Sequence, residues 1–170
     1  MGTVLRGVLS LKILLVVLPL VALVCAPQAF AGHIEGMATG TLTSQTSGAC
    51  NIGYSTYCPS GNCICKTFSG TVVGTPVGRG SIVLSLTVDY GATLSSRPTC
   101  APLFGIMEIN ASNASQVINA VGSSCDPLVG TVVTFSGGFG VISGGSGWGS
   151  LSGTFDRASG TGVMRYNGAY

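Results

Sequence analysis

Beyond residue 32 no stretch carries an apolar stripe at helical spacing; what recurs is a short, β-rich run closed by glycine. Such runs fall at 67–73, 81–90, 103–109, 117–121, 128–135 and 162–166. In 81–90, Ile82, Leu84, Leu86 and Val88 share one face, and Val83, Ser85, Thr87 and Asp89 share the other. Threonine and valine, which suit a pleated surface, are abundant in these runs. Segment 112–121 is the one weak helical candidate, and it fits a strand equally well. Turn signals roughly every 8–14 residues point to an all-β sandwich or barrel. Of 27 glycines, all but Gly2 and Gly7 lie beyond residue 31, many for a sandwich. Glycine permits the bends and close strand approaches of a small barrel. The expected fold is therefore all-β: a single antiparallel β-barrel of about eight strands with a disulfide-stapled N-terminal segment, and a β-sandwich as the alternative. The echo between 70–75 and 130–135 is too short to define a repeat.

Residues 1–31 read as a secretory signal peptide. Arg6 and Lys12 flank an apolar core at 13–24, broken by Pro19, and Ala29-Phe30-Ala31 supplies the small-x-small pattern of a cleavage site. A membrane anchor needs about 20 unbroken apolar residues, so no integral membrane segment is expected after cleavage. Lipid attachment at Cys25 is disfavoured by the bulky Val24 before it. The expected organisation is a signal peptide over 1–31 and a single β-domain over 32–170, secreted, periplasmic or held at the cell surface.

Losing the leader changes the electrostatics. The whole chain has a formal charge of +2, and Arg6 and Lys12 account for it. Lys66, Arg79, Arg97, Arg157 and Arg165 then balance Glu35, Asp89, Glu108, Asp126 and Asp156. No basic cluster remains to neutralise phosphates, so nucleic acid is not an expected partner, nor is a polybasic contact with anionic lipid. The low charge and the recurring Val, Ile, Leu and aromatic residues also argue against disorder.

Without Cys25 the cysteine count is even: Cys50, Cys58, Cys63, Cys65, Cys100 and Cys125. In an exported chain this reads as three disulfides, with fifteen possible connectivities. Cys63 and Cys65 point the same way on a strand and are too close to bridge easily, so each takes another partner. The expected pairing joins Cys100 to Cys125, with the other four stapling the segment from Cys50 to Cys65. A metal site at Cys58, Cys63 and Cys65, with or without His33, is the rival. The C-x4-C-x-C run lacks the paired C-x2-C spacing of structural zinc, and neither a metal nor a cofactor is expected.

The densest local signal is 137–149, GGFGVISGGSGWG. Neither phosphate-binding pattern, G-x-G-x-x-G or G-x-x-x-x-G-K-[ST], is present, so two glycine-rich strands joined by a tight turn are expected. Gly137, Gly138, Gly140, Gly144, Gly147 and Gly149, with Ile142 between them, resemble the glycine hairpin of the allene oxide cyclase and dirigent-type barrels and of related small bacterial proteins. Residues 153–156 and 160–165 resemble the closing strands of that pattern, while Phe139 and Gly145 depart from its usual Thr and Ala. The resemblance covers about 30 residues and implies an antiparallel eight-stranded barrel with a central cavity. Its cyclase and dirigent members act on hydrophobic substrates inside that barrel. None of their active residues aligns with this chain, so none is carried over.

The acid–base inventory is thin. His33 is the only histidine and lies beside the expected new terminus, and no G-x-S-x-G elbow accompanies it. His33-x-Glu35 has no Pro-Cys-x-x-Cys partner for a deaminase zinc site. The five acids lie far apart, and Asp126 and Asp156 read as turn residues. No catalytic residue is assigned. Glu108, within an apolar run, and Arg165, between Met164 and Tyr166, are the ligand-binding candidates if they face inward; the outward reading is preferred for Glu108. Asn110 and Asn113 open glycosylation-type triplets that read more simply as a polar loop.

The expected role is a non-enzymatic exported barrel binding a small apolar ligand or a partner. The rivals are a cyclase or isomerase working in the barrel cavity, and a structural surface or matrix subunit self-associating through free strand edges. A membrane barrel is a fourth reading, since Met164, Tyr166 and Tyr170 partly mimic a C-terminal membrane-barrel signature.

Overall fold

The computed structural model describes residues 32–51, 57–92 and 99–170; the leader expected over 1–31 lies outside them. The strands are β1 His33–Ser47, β2 Cys63–Thr75, β3 Gly78–Asp89, β4 Cys100–Ala111, β5 Ser115–Cys125, β6 Val132–Ser143, β7 Trp148–Asp156 and β8 Thr161–Ala169. Each pairs antiparallel with the next, and β8 returns to β1 to close a barrel. The barrel expectation holds and the sandwich alternative falls. Closure also removes the free edges on which the self-association reading relied, because every strand already has two partners. Among the described residues, no helix is long and apolar enough to cross a membrane.

Period-two alternation sets the inner phase of each strand. Ile82, Leu84, Leu86 and Val88 of β3 face Leu103, Met107 and Ile109 of β4, and all are buried. Strand β1 is missing from the runs legible in the sequence because its inner residues, Ile34, Gly36, Ala38, Gly40 and Leu42, are mostly small. The weak helical candidate is β5 from Ser115 onward. The run expected at 128–135 becomes a strand only at Val132: Gly130 has φ +95°, and Leu128 and Val129 stand 89% and 92% exposed in the preceding loop.

An eight-strand barrel is just wide enough for side chains to fill, and here they fill it. Phe68 meets Phe155 edge-on at 5.1 Å between ring centroids, and Phe139 meets Tyr166 at 6.0 Å. The voids left among the core side chains are about 20 and about 10 Å³. Each is room for about one water. The open central cavity implied by the resemblance is therefore replaced by a packed core. Met164 and Tyr166 belong to that core at 5% and 3% exposure, so they do not form the outward-facing girdle of a membrane-barrel terminus.

Glycines meet across neighbouring strands at Gly36–Gly74, Gly40–Gly70, Gly122–Gly137 and Gly149–Gly168. The backbones come so close there that a Cβ on Gly70, Gly122, Gly137, Gly149 or Gly168 would collide with a carbonyl oxygen of the partner strand. Gly36 and Gly74 also make room for the Tyr166 ring. The glycine-rich segment 137–149 is thus the β6–β7 hairpin, and two of its glycines are halves of these close pairs.

The Tyr166 hydroxyl is buried with no hydrogen-bond partner among the described residues, and burial pushes its pKa up to about 12. Below about pH 10 the phenol is protonated in both folded and unfolded chains. Above that, the unfolded chain ionises first, so this residue's contribution to stability is lost as pH climbs from about 10 towards about 12. Tyr166→Phe should remove that loss and stabilise the fold at neutral pH by about 1 kcal/mol, by deleting an unpaired buried hydroxyl. Urea unfolding of both forms at about pH 7 and about pH 11 checks the sign at each end.

The three disulfides are Cys50–Cys65, Cys58–Cys63 and Cys100–Cys125. They all lie at the barrel end formed by the start of β2, the start of β4 and the end of β5. The first two hold the β1–β2 connection against the outer wall. Cys50 N donates to Thr87 Oγ1 at 2.9 Å, Ser60 N donates to Asp89 Oδ2 at 3.2 Å, and the Ser60 hydroxyl donates to Asp89 Oδ1. Thr87 and Asp89 alternate with the core residues of β3, yet they are buried where this connection bonds to them, and Ser85 is buried on the same face.

Candidate functional site

At the disulfide-bearing end, the inner phase of the strands continues past the apolar core and becomes polar. Lys66 follows Phe68 by one inward step on β2 and is only 7% exposed. Beside it stands Gln45, its register partner on β1, where a bulge after Leu42 restores the inward phase. Tyr90 lies one residue beyond the end of β3, Asp126 one beyond β5, and Arg157 one beyond β7. Leu42 and Phe155 form an apolar floor beneath them. Together these residues shape a cup of about 320 Å³ at the barrel mouth. Ligand sites occur preferentially in such mouths, with an apolar lining and a few convergent polar groups.

The cup's charges are unequal. Arg157 Nη2 forms an ion pair with Asp126 Oδ1, leaving these two groups engaged with each other. The Lys66 ammonium lies 5.5 Å from the Phe155 ring centroid, and no described residue gives it a hydrogen bond or salt bridge. Desolvation lowers the Lys66 pKa from its ordinary value; Asp126 opposes that shift and Arg157 reinforces it. Tyr90 is pushed up, first by burial and then by the Asp126 charge, with Arg157 pulling the other way. Two cations and one carboxylate leave the cup with one positive charge in excess.

The residues singled out in the sequence lie elsewhere. Glu108 is exposed on the outer phase of β4, opposite Val83 and Val117. Arg165 is exposed on the outer phase of β8, opposite Met37 and Ser152. The two strands are four steps apart in either direction round the barrel, so the residues face away from each other. Arg165 borders a groove of about 620 Å³ with Glu35, Met37 and Asn167 on the outer wall. His33 is likewise exposed on β1, with Nε2 3.1 Å from Glu35 Oε2. Asp156 is the turn residue expected of it: it accepts from the Thr131 and Ser159 hydroxyls, which hold its pKa down together with the Ala158 amide. Asp126, also read as a turn residue, instead belongs to the cup. Cys58, Cys63 and Asp89 come near one another, but the two sulfurs are bonded to each other and are not thiolate ligands.

The cup was legible in one respect. Lys66 is the only lysine beyond residue 31, and it alternates with Ile64 and Phe68 on a strand, which places its stem on the apolar face. Tyr90, Asp126 and Arg157 lie outside their strands, and nothing in the sequence shows that the loops bring them together.

Comparison with protein-family models, curated proteins and solved structures finds no match to this chain.

Proposed function

We propose that this chain is an exported, non-enzymatic binding barrel that holds a small ligand with an apolar portion in the cup at its disulfide-bearing mouth. The observation that carries the reading is Lys66, a largely buried lysine whose ammonium opens into a cup with an apolar floor, on a barrel whose interior is otherwise filled. The stem of Lys66 is buried and its ammonium, partly desolvated, opens into the cup without a hydrogen-bond partner among the described residues. A structural lysine at this height would be expected to have a carboxylate of its own, and Asp126 is already engaged with Arg157. The outward Glu108 and Arg165, and an interior that the described residues fill down to voids of about 20 and about 10 Å³, count against a cyclase working inside the barrel. Three disulfides suit an oxidising environment, in keeping with export.

Native mass spectrometry of the protein purified from its source tests this reading. The expected spectrum is a monomer that retains its three disulfides, lacks residues 1–31 and carries a small organic adduct lost on activation. A ligand-free oligomer would replace the binding reading with the structural-subunit one.

A further inference from the structure

We infer that the ligand of the mouth cup is an organic monoanion, a carboxylate with an aliphatic or aromatic body, whose charged group meets Lys66. This inference rests on the binding reading above and adds the ligand's chemistry. An ammonium carries donors and no acceptor, so whatever group meets Lys66 must accept hydrogen bonds. The groups facing Lys66 are Gln45 from β1, Tyr90 from the end of β3, Asp126 from the end of β5 and Arg157 from the end of β7. Arg157 is engaged by Asp126, so one positive charge awaits a partner, and a single negative charge balances it. A dianionic phosphate would need a second free cation, and none is present among the described residues lining the cup. Leu42 and Phe155 below offer an apolar body the surface to leave water. A volume of about 320 Å³ admits a medium-chain acid and not a long one folded inside the barrel.

Isothermal titration with octanoate and with 1-octanol tests this on the intact protein, for the native chain and for Lys66→Met and Lys66→Arg. Octanoate should bind the native chain at least tenfold more tightly than octanol. Lys66→Met should erase that preference, and Lys66→Arg should keep part of it. Octanoate affinity should fall as pH rises through the Lys66 pKa, below the ordinary lysine range, while octanol affinity stays level. The side-chain nitrogen of Lys66, free of overlap from any other lysine beyond residue 31, should shift in NMR spectra when octanoate is added. This readout on the native chain serves even if a variant fails to fold. Equal binding of octanol and octanoate would overturn the anion assignment and leave the mouth site standing. Binding of neither, with no shift at Lys66, would overturn both.

Discussion

Replacing Cys100 and Cys125 together by alanine should cost about 3–4 kcal/mol of stability, the largest loss of any single disulfide on the loop-closure argument. The two residues are register partners at the disulfide-bearing ends of β4 and β5, and 25 positions separate them along the chain. Bridging them removes from the unfolded chain the freedom of the entire β4–β5 hairpin, whose turn lies at the opposite end of the barrel. Cys58–Cys63 spans 5 positions, and the same argument gives about 2 kcal/mol for it. Cys50–Cys65, at 15 positions, falls between at about 3 kcal/mol. Urea unfolding of the three double-alanine proteins, read at a common slope, measures the order. Equal losses for all three would show that native contacts, such as those of Cys50 with Thr87, outweigh loop length.

Gly137→Val is expected to cost about 3 kcal/mol or more, the upper range for forcing atoms into a close-packed interior. A Cβ at this position would run into the Val121 carbonyl oxygen and stand 2.7 Å from the Gly122 Cα. Both obstacles are backbone, and they belong to the paired strand β5, so relief requires the β5–β6 ladder to separate. Gly160→Ala is the control of a different kind: its φ is +69°, and nothing lies within 4 Å of a Cβ there. It should cost about 1 kcal/mol from backbone conformation alone. Thermal unfolding of both variants separates crowding from conformational preference. A Gly137 variant as stable as the Gly160 one would mean that the sheet yields more readily than the packed backbones suggest.

Lys66 ties stability to function in the opposite direction. Removing a desolvated cation should stabilise the empty barrel while abolishing the anion preference of its mouth. A residue kept only for the fold would lose stability when replaced.

How far the sequence could be read depended on what each residue had to do. Ile82, Leu84, Leu86 and Val88 announce a strand because four large apolar side chains alternate with smaller and polar ones. Strand β1 has the same inward phase, but Gly36, Ala38 and Gly40 carry too little side chain to display it. Small residues suffice there because Tyr166 from β8 fills the space above Gly36, a contact that depends on closure of the barrel. Thr87 and Asp89 look like part of a solvated face and are buried, because the disulfide-held connection bonds to them. Glu108 and Arg165 drew attention for having apolar neighbours, yet on a strand the immediate neighbours point to the opposite face.

By itself, the sequence determined the all-β class; it favoured a small glycine-dependent barrel over a sandwich and a Cys100–Cys125 bridge among fifteen connectivities, and the structure selected both. Those readings follow from local periodicity, composition or the spacing of cysteines, which survive in one dimension. Only the tertiary structure decided that the interior is full, that glycines pair across strands, and that Lys66, Tyr90, Asp126 and Arg157 share one mouth. The glycine pairs depend on the register between adjacent strands, whereas the full interior and the shared mouth are properties of ring closure: residues from positions 45 to 157 become neighbours only when β8 returns to β1.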